Sequence, residues 1–484
     1  MKHKLILLAF SFAIFFTSYS QSTDQDISKI ENGLLKPISV KGETPKTYNI
    51  LDRMKVHNVP GVSIAIVKDG SIQWAKGYGI ANTNTSQKVD ANTLFQAGSI
   101  SKPIAALGAL KLVDQGKIDL DVDVNSYLKN WTIPDSKFTK NEKVTLRRLL
   151  THTAGMTVHG FPGYTQKDNF PPIEKVLNGK GNTGKIEVDT IPGAIWRYSG
   201  GGYTVMEKIV EDVSELSLEE FLKKNVLSTI EMDNSTYDQP LTESFKTNAS
   251  AAYYGDGSII EGLWHNYPEQ AAAGLWTTPT DLAKYIIEIQ EIVSGKKDGV
   301  LSKEMTSKML TKDKNNWGLG PSLRWENDSL MFGHGGKNAG FTNQLGAFVH
   351  KGAGFVIMTN ADNGGRLIGE LMRGISKHYD WGISNVKEVD VIKMENDELT
   401  KFEGKYKLDF QVPNIGDYFI DVTVKDGKLV VFDPNNNDTN ILTPQPDLNF
   451  IDLNKGDNVK INFKDINNIE IVWKNQYHFN KVSK

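Results

Sequence analysis

The order of apolar and polar positions divides the chain into a mixed region and a later region of strands alone. Residues 62–67 form a β-branched run, a polar turn follows at 68–71, and residues 72–78 form a return strand. This pattern is typical of a β-hairpin. Residues 104–113 are apolar nearly all round, which predicts a helix buried inside a domain. Gly116 marks its end.

Helical periods fill the middle of the mixed region, and strand signals return before it ends. Ser217 and Glu220 have the spacing of a capping box at a helix start. Further helices are predicted at 205–213, 282–293 and 366–378, and strands at 345–349 and 355–359. The order predicts an α+β domain, with a helical subdomain and an antiparallel sheet that joins N-terminal and C-terminal strands.

The pattern changes near residue 385. From Phe402 onward only short strands are predicted, at 418–424, 428–432, 459–463 and 469–473. Such a series is typical of a small all-β domain, either a sandwich or a barrel. We therefore predict a main domain at 21–386, a linker at 387–400 and a small all-β domain at 401–484.

The first twenty residues differ from the rest of the chain. Lys2 and Lys4 precede an apolar stretch at 5–16, and small residues at 18 and 20 suit cleavage before Gln21. We expect a signal peptide at 1–20 and export to the periplasm or the medium. An uncleaved anchor is the alternative. No later stretch reaches eighteen apolar residues, so no membrane span is expected in the mature chain.

Composition excludes several classes of protein. The net charge of −3 and the lack of a basic run argue against a nucleic-acid partner, because phosphate binding needs a concentrated positive field. The chain contains no cysteine, which excludes disulfides, a thiol nucleophile and a lipidated cysteine.

A Ser-x-x-Lys pattern at Ser99 and Lys102 stands directly before the buried helix. Residues three apart share one helix face, so the hydroxyl and the amine can meet. Burial and the positive end of the helix dipole both lower a lysine pKa from about 10.4, and an uncharged Lys102 can then take the Ser99 proton. Alternatively, Ser99 caps the helix and Lys102 is solvated. A second copy at 294–297 lies in a polar turn and is predicted to be surface.

Two glycine-rich segments carry further candidate residues. Tyr198 precedes a glycine run that begins at Gly200, and its hydroxyl can reach a substrate or relay a proton. His334, Gly335, Gly336 and Lys337 precede a strand, and glycines there allow a ligand to approach the backbone. Taken alone, a tyrosine is more often part of a core, and a histidine in such a segment is more often a turn residue.

Other catalytic classes lack their motifs. No serine has the G-x-S-x-G frame of a nucleophile elbow, and no H-E-x-x-H or cysteine set is present for zinc. Residues 179–185 match G-x-x-x-x-G-K, but Ile186 replaces the Ser or Thr of a nucleotide-binding loop. No metal and no cofactor are therefore expected.

Taken together and in order, these segments resemble the serine β-lactamase-related hydrolases. The resemblance covers about residues 45–385 and is similar to class C β-lactamases, D,D-peptidases, esterases and D-aminopeptidases. Besides the segments above, the matching stretches are residues 60–63, 95–99, 149–156, 274–282 and 317–320. The resemblance implies a β-lactamase/transpeptidase-like fold. It also implies that Ser99 is the acylated nucleophile and that Lys102 is its base.

The same resemblance gives roles to the two glycine-rich segments. Tyr198 stands first in the second motif, where it assists Lys102 and protonates the leaving group. The segment from His334 to Gly336 stands at the third motif on an edge strand. The backbone N–H groups of Ser99 and Lys337 are expected to stabilise the oxyanion. His152 is expected to be structural, holding a helix end near the site.

Two positions depart from the family pattern. Gly200 replaces an asparagine that binds the substrate, and His334 replaces a lysine that holds a β-lactam carboxylate. The expected activity is therefore an exported serine hydrolase that cleaves an ester or an amide or peptide bond. The alternatives are a β-lactamase or D,D-carboxypeptidase, and a penicillin-binding or sensor protein that is acylated without turnover.

Overall fold

A computed structural model of the chain describes residues 23–326, 328–413 and 415–483. Two compact units are present. The first consists of Leu51–Ile368 with the described residues up to Ile27, and the second of Ser28–Ile50 with Gly369–Lys484. These boundaries differ from those predicted, because the segment 28–50 groups with the C-terminal residues. The predicted signal peptide at 1–20 lies outside the described residues.

The first unit is built on a seven-stranded antiparallel sheet. Its strands are, in spatial order, Gln87–Lys88, Ser71–Asn82, Gly61–Lys68, Gly354–Thr359, Phe341–Phe348, Ser329–Asn338 and Ser322–Glu326. Gly61–Lys68 pairs with Gly354–Thr359, with Ile64 opposite Ile357. The predicted joining of N-terminal and C-terminal strands in one antiparallel sheet is confirmed. A separate two-stranded pair joins Phe95–Gln96 to Trp276–Thr277.

Helices account for most of the other regular structure before the β domain. The described α-helices before the β domain are 23–31, Ile50–Val56, Ser101–Asp114, Leu146–Leu150, Ile173–Leu177, Gly200–Ser214, Leu218–Leu222, Glu243–Lys246, Gln270–Ala273, Pro279–Ser294, Lys303–Met309 and Gly364–Tyr379. Shorter helical turns are Gly98–Ile100, Val124–Ser126, Lys223–Leu227 and Lys314–Asn316. The predicted α+β class is confirmed.

Some helix starts follow local capping chemistry, and others do not. Thr278 caps Pro279–Ser294 by accepting a hydrogen bond from the Asp281 N–H, and Gly295 ends that helix in the left-handed conformation. Ser217 also stands at a helix start, but its buried hydroxyl makes no capping bond. The capping box predicted from Ser217 and Glu220 does not form.

The helix Ser101–Asp114 is called the central helix below. Eleven of its 14 residues are buried, as its lack of a polar face predicts. It contacts Gly200–Ser214 and Gln270–Ala273. Gly108 allows close packing, since a Cβ there would lie 2.5 Å from a methyl carbon of Leu222.

The second unit contains a closed antiparallel barrel of eight strands. The strands are Gly404–Leu408, Phe419–Lys425, Lys428–Asp433, Asp438–Gln445, Asn449–Asp452, Asn458–Asp465, Asn468–Trp473 and Tyr477–Ser483. The first strand pairs with the last, with Tyr406 opposite Lys481, which closes the barrel. Alternate apolar side chains fill its interior. The predicted small all-β domain is therefore a barrel rather than a sandwich.

The segment predicted as a linker carries structure of its own. Lys387–Val389 pairs in parallel with Ile38–Val40, and a helix follows at Asn396–Leu399. The strands Leu34–Leu35 and Thr47–Tyr48 form a further pair in this unit. The parallel pairing explains why residues 28–50 belong to the second unit. Within the described residues, no helix is both long and apolar enough for a bilayer.

Leu110, in the central helix, is expected to be essential for stability. Its side chain is fully buried, so Leu110→Ala should lower the free energy of unfolding by about 2–5 kcal/mol. Lys111→Ala, one residue further on, removes a partly exposed side chain and should change it by about 0.5 kcal/mol or less. Calorimetry of the full chain measures both. Equal stability of the two variants would show that the helix is not part of the core.

Candidate active site

Ser99 lies in the short turn Gly98–Ile100, at the entrance of the central helix. The turn is held by Ser101, whose hydroxyl donates to the Gly98 carbonyl oxygen at 2.6 Å and accepts from the Leu275 N–H at 3.0 Å. Ile100 occupies the N-cap position of the central helix, and no side chain caps it. The Ser99 hydroxyl is therefore not used as a helix cap.

Lys102 is buried beside this hydroxyl. Its Nζ lies 3.1 Å from Ser99 Oγ and donates to the Ala272 carbonyl oxygen at 2.7 Å. The side chain is almost inaccessible to solvent and has no carboxylate partner among the described residues. Burial without a counter-charge lowers the pKa of Lys102 to about 7. A substantial fraction of the amine is therefore uncharged at neutral pH.

Tyr198 completes this group from the segment before Gly200–Ser214. Burial raises the pKa of its phenol, and the nearby Ser99 side chain opposes that rise. The hydroxyl is buried and has no hydrogen-bond partner of normal geometry within the described residues. Lys102 Nζ lies 5.1 Å from the centre of the Tyr198 ring. The structure thus brings Ser99, Lys102 and Tyr198 together.

An aromatic wall surrounds Tyr198. The ring of His152 lies 4.2 Å from that of Tyr198, and the ring of Trp317 lies 5.8 Å from it. His152 Nδ1 accepts a hydrogen bond from the Ser199 N–H at 3.1 Å. Burial, and then the charge of Lys102, holds the pKa of His152 well below its usual value. An uncharged His152 therefore positions the segment that carries Tyr198.

His334 faces the same space from the main sheet. Ser322–Glu326 pairs only with residues 329–333 of Ser329–Asn338, so the strand is a free edge from His334 onward. Burial, and then the charge of Lys102, lowers the pKa of His334 to about 3, so the imidazole is uncharged. Its Nε2 has no partner among the described residues, and its ring lies 6.0 Å from that of Tyr198.

The free edge packs directly on the serine turn through two glycines. Gly98 has a φ of +57°, and a Cβ there would lie 2.5 Å from Lys337 N. A Cβ on Gly336 would lie 1.9 Å from the Ala97 carbonyl oxygen. Neither position tolerates a side chain without separating strand and turn. Glycine is therefore required at both positions for close approach.

Lys337 approaches the serine turn with its backbone only. Its Nζ forms an ion pair with Asp362 and lies 3.3 Å from Thr342 Oγ1. The ammonium group is thus held by residues other than those of the serine turn. Gly335 is exposed, and a Cβ there would lie 3.3 Å from the end of the Gln344 side chain and 3.9 Å from the Asn343 carbonyl oxygen.

Gly200, at the start of its helix, leaves no room for the asparagine that the family pattern has there. A Cβ at this position would lie 2.9 Å from a Phe161 ring carbon and 3.1 Å from the His159 carbonyl oxygen. The exposed His159 ring instead lies 5.0 Å from that of Tyr198. The segment 157–161 therefore forms the wall beside Tyr198.

A buried carboxyl group supports the acceptor of Lys102. Glu207 Oε2 accepts a hydrogen bond from the Ala271 N–H at 2.8 Å, in the same turn as Ala272. Burial raises the pKa of Glu207 well above its usual value. The sequence analysis did not identify this residue, although a glutamate within the apolar pattern of 205–213 could have indicated a buried carboxyl group. Among the described residues, no cluster of His, Asp or Glu side chains is arranged to hold a metal ion.

Comparison with known proteins shows which family matches this chain. A model of the beta-lactamase family matches residues 49–372. A teichoic acid D-alanine hydrolase of Staphylococcus aureus is 25% identical over 271 residues, which are 55% of this chain and 63% of that protein. The first curated relatives, also from Staphylococcus aureus, are 24% identical, and the match spans about half of their length (46%).

Solved structures share the fold. A penicillin-binding protein homologue from Pyrococcus abyssi, described as octameric, has a TM-score of 0.61 at 24% identity and covers 89% of this chain and 98% of its own. A D-amino acid amidase from Ochrobactrum anthropi has a TM-score of 0.55 at 20% identity. That match covers 68% of this chain and 97% of the amidase chain.

The contact between serine turn and edge strand can be tested by stability. Gly98→Ala places a side chain at a positive φ against Lys337 N and should lower the free energy of unfolding by about 1–3 kcal/mol. The matched control, Gly335→Ala on the same strand, should change it by about 0.5 kcal/mol or less. Thermal or urea unfolding measures the difference. A Gly98 variant as stable as the control would contradict the described packing.

Proposed function

Because this chain belongs to the beta-lactamase family and is a serine hydrolase, we propose that it cleaves ester or amide bonds through an acyl-enzyme on Ser99. One observation carries this proposal. An amine with a pKa of about 7 lies 3.1 Å from a serine hydroxyl at the entrance of a buried helix. No metal or organic cofactor takes part in the proposed reaction.

In the proposed first step, Lys102 acts as the general base. Uncharged Lys102 accepts the Ser99 proton as Ser99 Oγ attacks the substrate carbonyl carbon. The resulting ammonium group is held by the Ala272 carbonyl oxygen, which already lies 2.7 Å from Nζ. Glu207 keeps that acceptor in place through the Ala271 N–H.

Tyr198 is proposed as the proton donor to the leaving group. Its raised pKa keeps the phenol protonated, so the group donates rather than acting as a phenolate base. Tyr198 gives its proton to the departing oxygen or nitrogen and regains one from the Lys102 ammonium group. In deacylation uncharged Lys102 takes a proton from water as the water oxygen attacks the acyl carbon, and the ammonium group returns that proton to Ser99 Oγ as the bond between Oγ and the acyl carbon breaks.

The backbone N–H groups of Ser99 and Lys337 are proposed to stabilise the oxyanion. The close approach that Gly98 and Gly336 permit supports this role, because it brings the Lys337 backbone against the serine turn. Fixed N–H donors stabilise the negative charge that develops on the carbonyl oxygen.

A D-aminoacyl ester or amide is the substrate class that we propose. His334 is uncharged, and the Lys337 ammonium group is occupied by Asp362, so the third motif offers no free cation for a carboxylate. This disfavours β-lactams and peptides with a free C-terminal carboxylate. The relatives named for a D-alanine hydrolase and a D-amino acid amidase support a D-configured acyl group. Export, predicted from residues 1–20, is part of the proposal.

A non-turnover sensor is the second candidate function. The observation that favours it is Gly200, which cannot supply the substrate-binding amide of the second motif. A sensor would be labelled at Ser99 by a fluorophosphonate but would not turn over a chromogenic ester. The proposed enzyme does both.

Removal of the nucleophile or base should abolish turnover. Ser99→Ala and Lys102→Ala should each lower kcat/KM for a chromogenic ester by about 10³-fold or more. The reason is that no neighbouring side chain can take over the role of the nucleophile or of its base. Ser294→Ala, in the exposed second Ser-x-x-Lys copy, should leave kcat/KM unchanged. Undiminished hydrolysis by Ser99→Ala would refute the assignment.

The pH dependence follows from Lys102. Its folded-state pKa is lowered to about 7, so the amine is protonated below that pH and free above it. Log kcat/KM should therefore rise with unit slope below pH 7 and level off above it. His334 does not contribute, because its pKa lies near 3. A rise centred near pH 10 would show that Lys102 is not the base.

Tyr198→Phe tests whether Tyr198 donates a proton to the leaving group. The variant keeps the ring that contacts His152 but loses the proton donor. We expect kcat to fall about 10²-fold or more for an amide, and less for a nitrophenyl ester, whose leaving group needs no proton. Equal effects on both substrates would contradict the leaving-group role.

A substrate panel tests the proposed class. D-alanyl esters and D-amino acid amides should be hydrolysed at least about tenfold faster than their L-counterparts. A cephalosporin should be a poor substrate because no free cation holds its carboxylate. Faster hydrolysis of the cephalosporin than of every D-aminoacyl compound would make a β-lactamase the better assignment.

A further inference from the structure

A cavity of about 320 Å³ lies within the second unit and shares no residue with the candidate active site. Its size falls at the lower end of the range for small-ligand sites, about 300–1,000 Å³. The cavity is lined by residues from the segment 36–48, by residue 386 and by residues of the barrel. The lining residues are Lys36, Ile38, Ser39, Val40, Glu43, Thr44, Pro45, Lys46, Tyr48, Val386, Lys428, Ile441, Thr443, Leu453 and Asn454.

The charge around this cavity is positive. Three lysines and a single glutamate line it, and Lys36 Nζ donates to Asn454 Oδ1 at 2.6 Å. Lys46 and Lys428 form no ion pair with any residue that the structure describes. Two ammonium groups are therefore available to a ligand, which is the arrangement expected for binding an anion.

Two of the positive groups are held against one aromatic ring. Lys36 Nζ and Lys46 Nζ lie 4.9 Å and 5.4 Å from the centre of the Tyr48 ring. The ring attracts each ammonium group. Both positive charges are therefore held beside the cavity that Tyr48 also lines.

A buried hydroxyl provides a third, independent feature. Ser39 lines the cavity with only 9% of its surface exposed, and its Oγ has no hydrogen-bond partner among the residues described. A buried hydroxyl without a partner costs free energy that a ligand oxygen atom would recover.

We propose that this cavity binds the phosphate group of a small organic phosphate ester. A phosphate group has several acceptor oxygens and up to two negative charges, which match Lys46, Lys428 and the Ser39 hydroxyl. The exposed apolar side chain of Ile441 and the Tyr48 ring contact the carbon skeleton. The ligand is either a free phosphomonoester or a phosphodiester unit of a polymer.

Calorimetric titration of the full chain at low salt tests this proposal with three probes: glycerol 3-phosphate, the diester glycerophosphoglycerol, and glycerol. We expect binding of a phosphate compound and none of glycerol. Binding of the monoester alone indicates a free metabolite, and binding of the diester indicates a polymer unit. Lactate, a carboxylate of similar size, should bind at least about tenfold more weakly than the phosphate.

Variants locate the binding. Lys428→Gln should weaken the dissociation constant for the phosphate about tenfold or more, and Ser39→Ala should weaken it about threefold or more. The matched control is Lys425→Gln, which alters an exposed lysine on the same hairpin outside the cavity lining and should bind like the wild type. Thermal unfolding of all three variants should match that of the wild type, which confirms that the second unit is folded.

The proposal is overturned if neither phosphate compound binds, or if lactate binds as tightly as the phosphate. It is also overturned if Lys425→Gln loses as much affinity as Lys428→Gln, because binding would then reflect general surface charge. Failure of the proposed hydrolysis at Ser99 would leave these results unaffected.

Discussion

The burial of one amine without a counter-charge is the constraint on which the candidate active site depends. Lys102 lies in a fully packed part of the first unit, and its hydrogen-bond acceptors are Ser99 Oγ and a backbone carbonyl rather than a carboxylate. A paired lysine would stay charged and could not accept a proton. The surrounding packing therefore determines the chemical state of the group, and the hydrolytic chemistry follows from that state.

Several structural features maintain this environment. The central helix that carries Lys102 is largely buried. The rings of His152 and Trp317 pack around Tyr198 beside it. Both imidazoles near Lys102 are uncharged, because burial and the positive charge of Lys102 itself disfavour their protonation. A charged histidine there would depress the lysine pKa further by repulsion. The site is thus a region of low polarity in which Lys102 and both imidazoles favour their uncharged forms.

The departures from the family pattern are accompanied by two arrangements with a common physical consequence. The segment 157–161 occupies the space next to Gly200, and Asp362 pairs with the Lys337 ammonium group. Each arrangement removes a polar or charged contact that a carboxylate-bearing substrate would use. The acylating residues are left in place. The chain therefore combines the family's proposed nucleophile and base with fewer polar contacts for a carboxylate, which is the basis of the substrate class proposed above.

The sequence by itself predicted the class of the fold and which residues to examine. The all-round apolar pattern of 104–113 indicated a buried helix, and the position of Ser99 and Lys102 at its entrance indicated a reactive pair. These are local properties, because periodicity and spacing depend on neighbours along the chain. The short strands after Phe402 indicated an all-β domain but not its closure. The closing partners Tyr406 and Lys481 lie in the first and last strands, at opposite ends of the domain's sequence.

Only the tertiary structure decided whether these residues form a site. The Ala272 acceptor, the support from Glu207 and the wall at His159 all come from segments far apart in the chain. Hydrogen-bond partners and desolvation depend on which surfaces meet, and no sequence spacing encodes that. The grouping of residues 28–50 with the C-terminal unit has the same origin, because parallel pairing between Ile38–Val40 and Lys387–Val389 links segments about 350 residues apart.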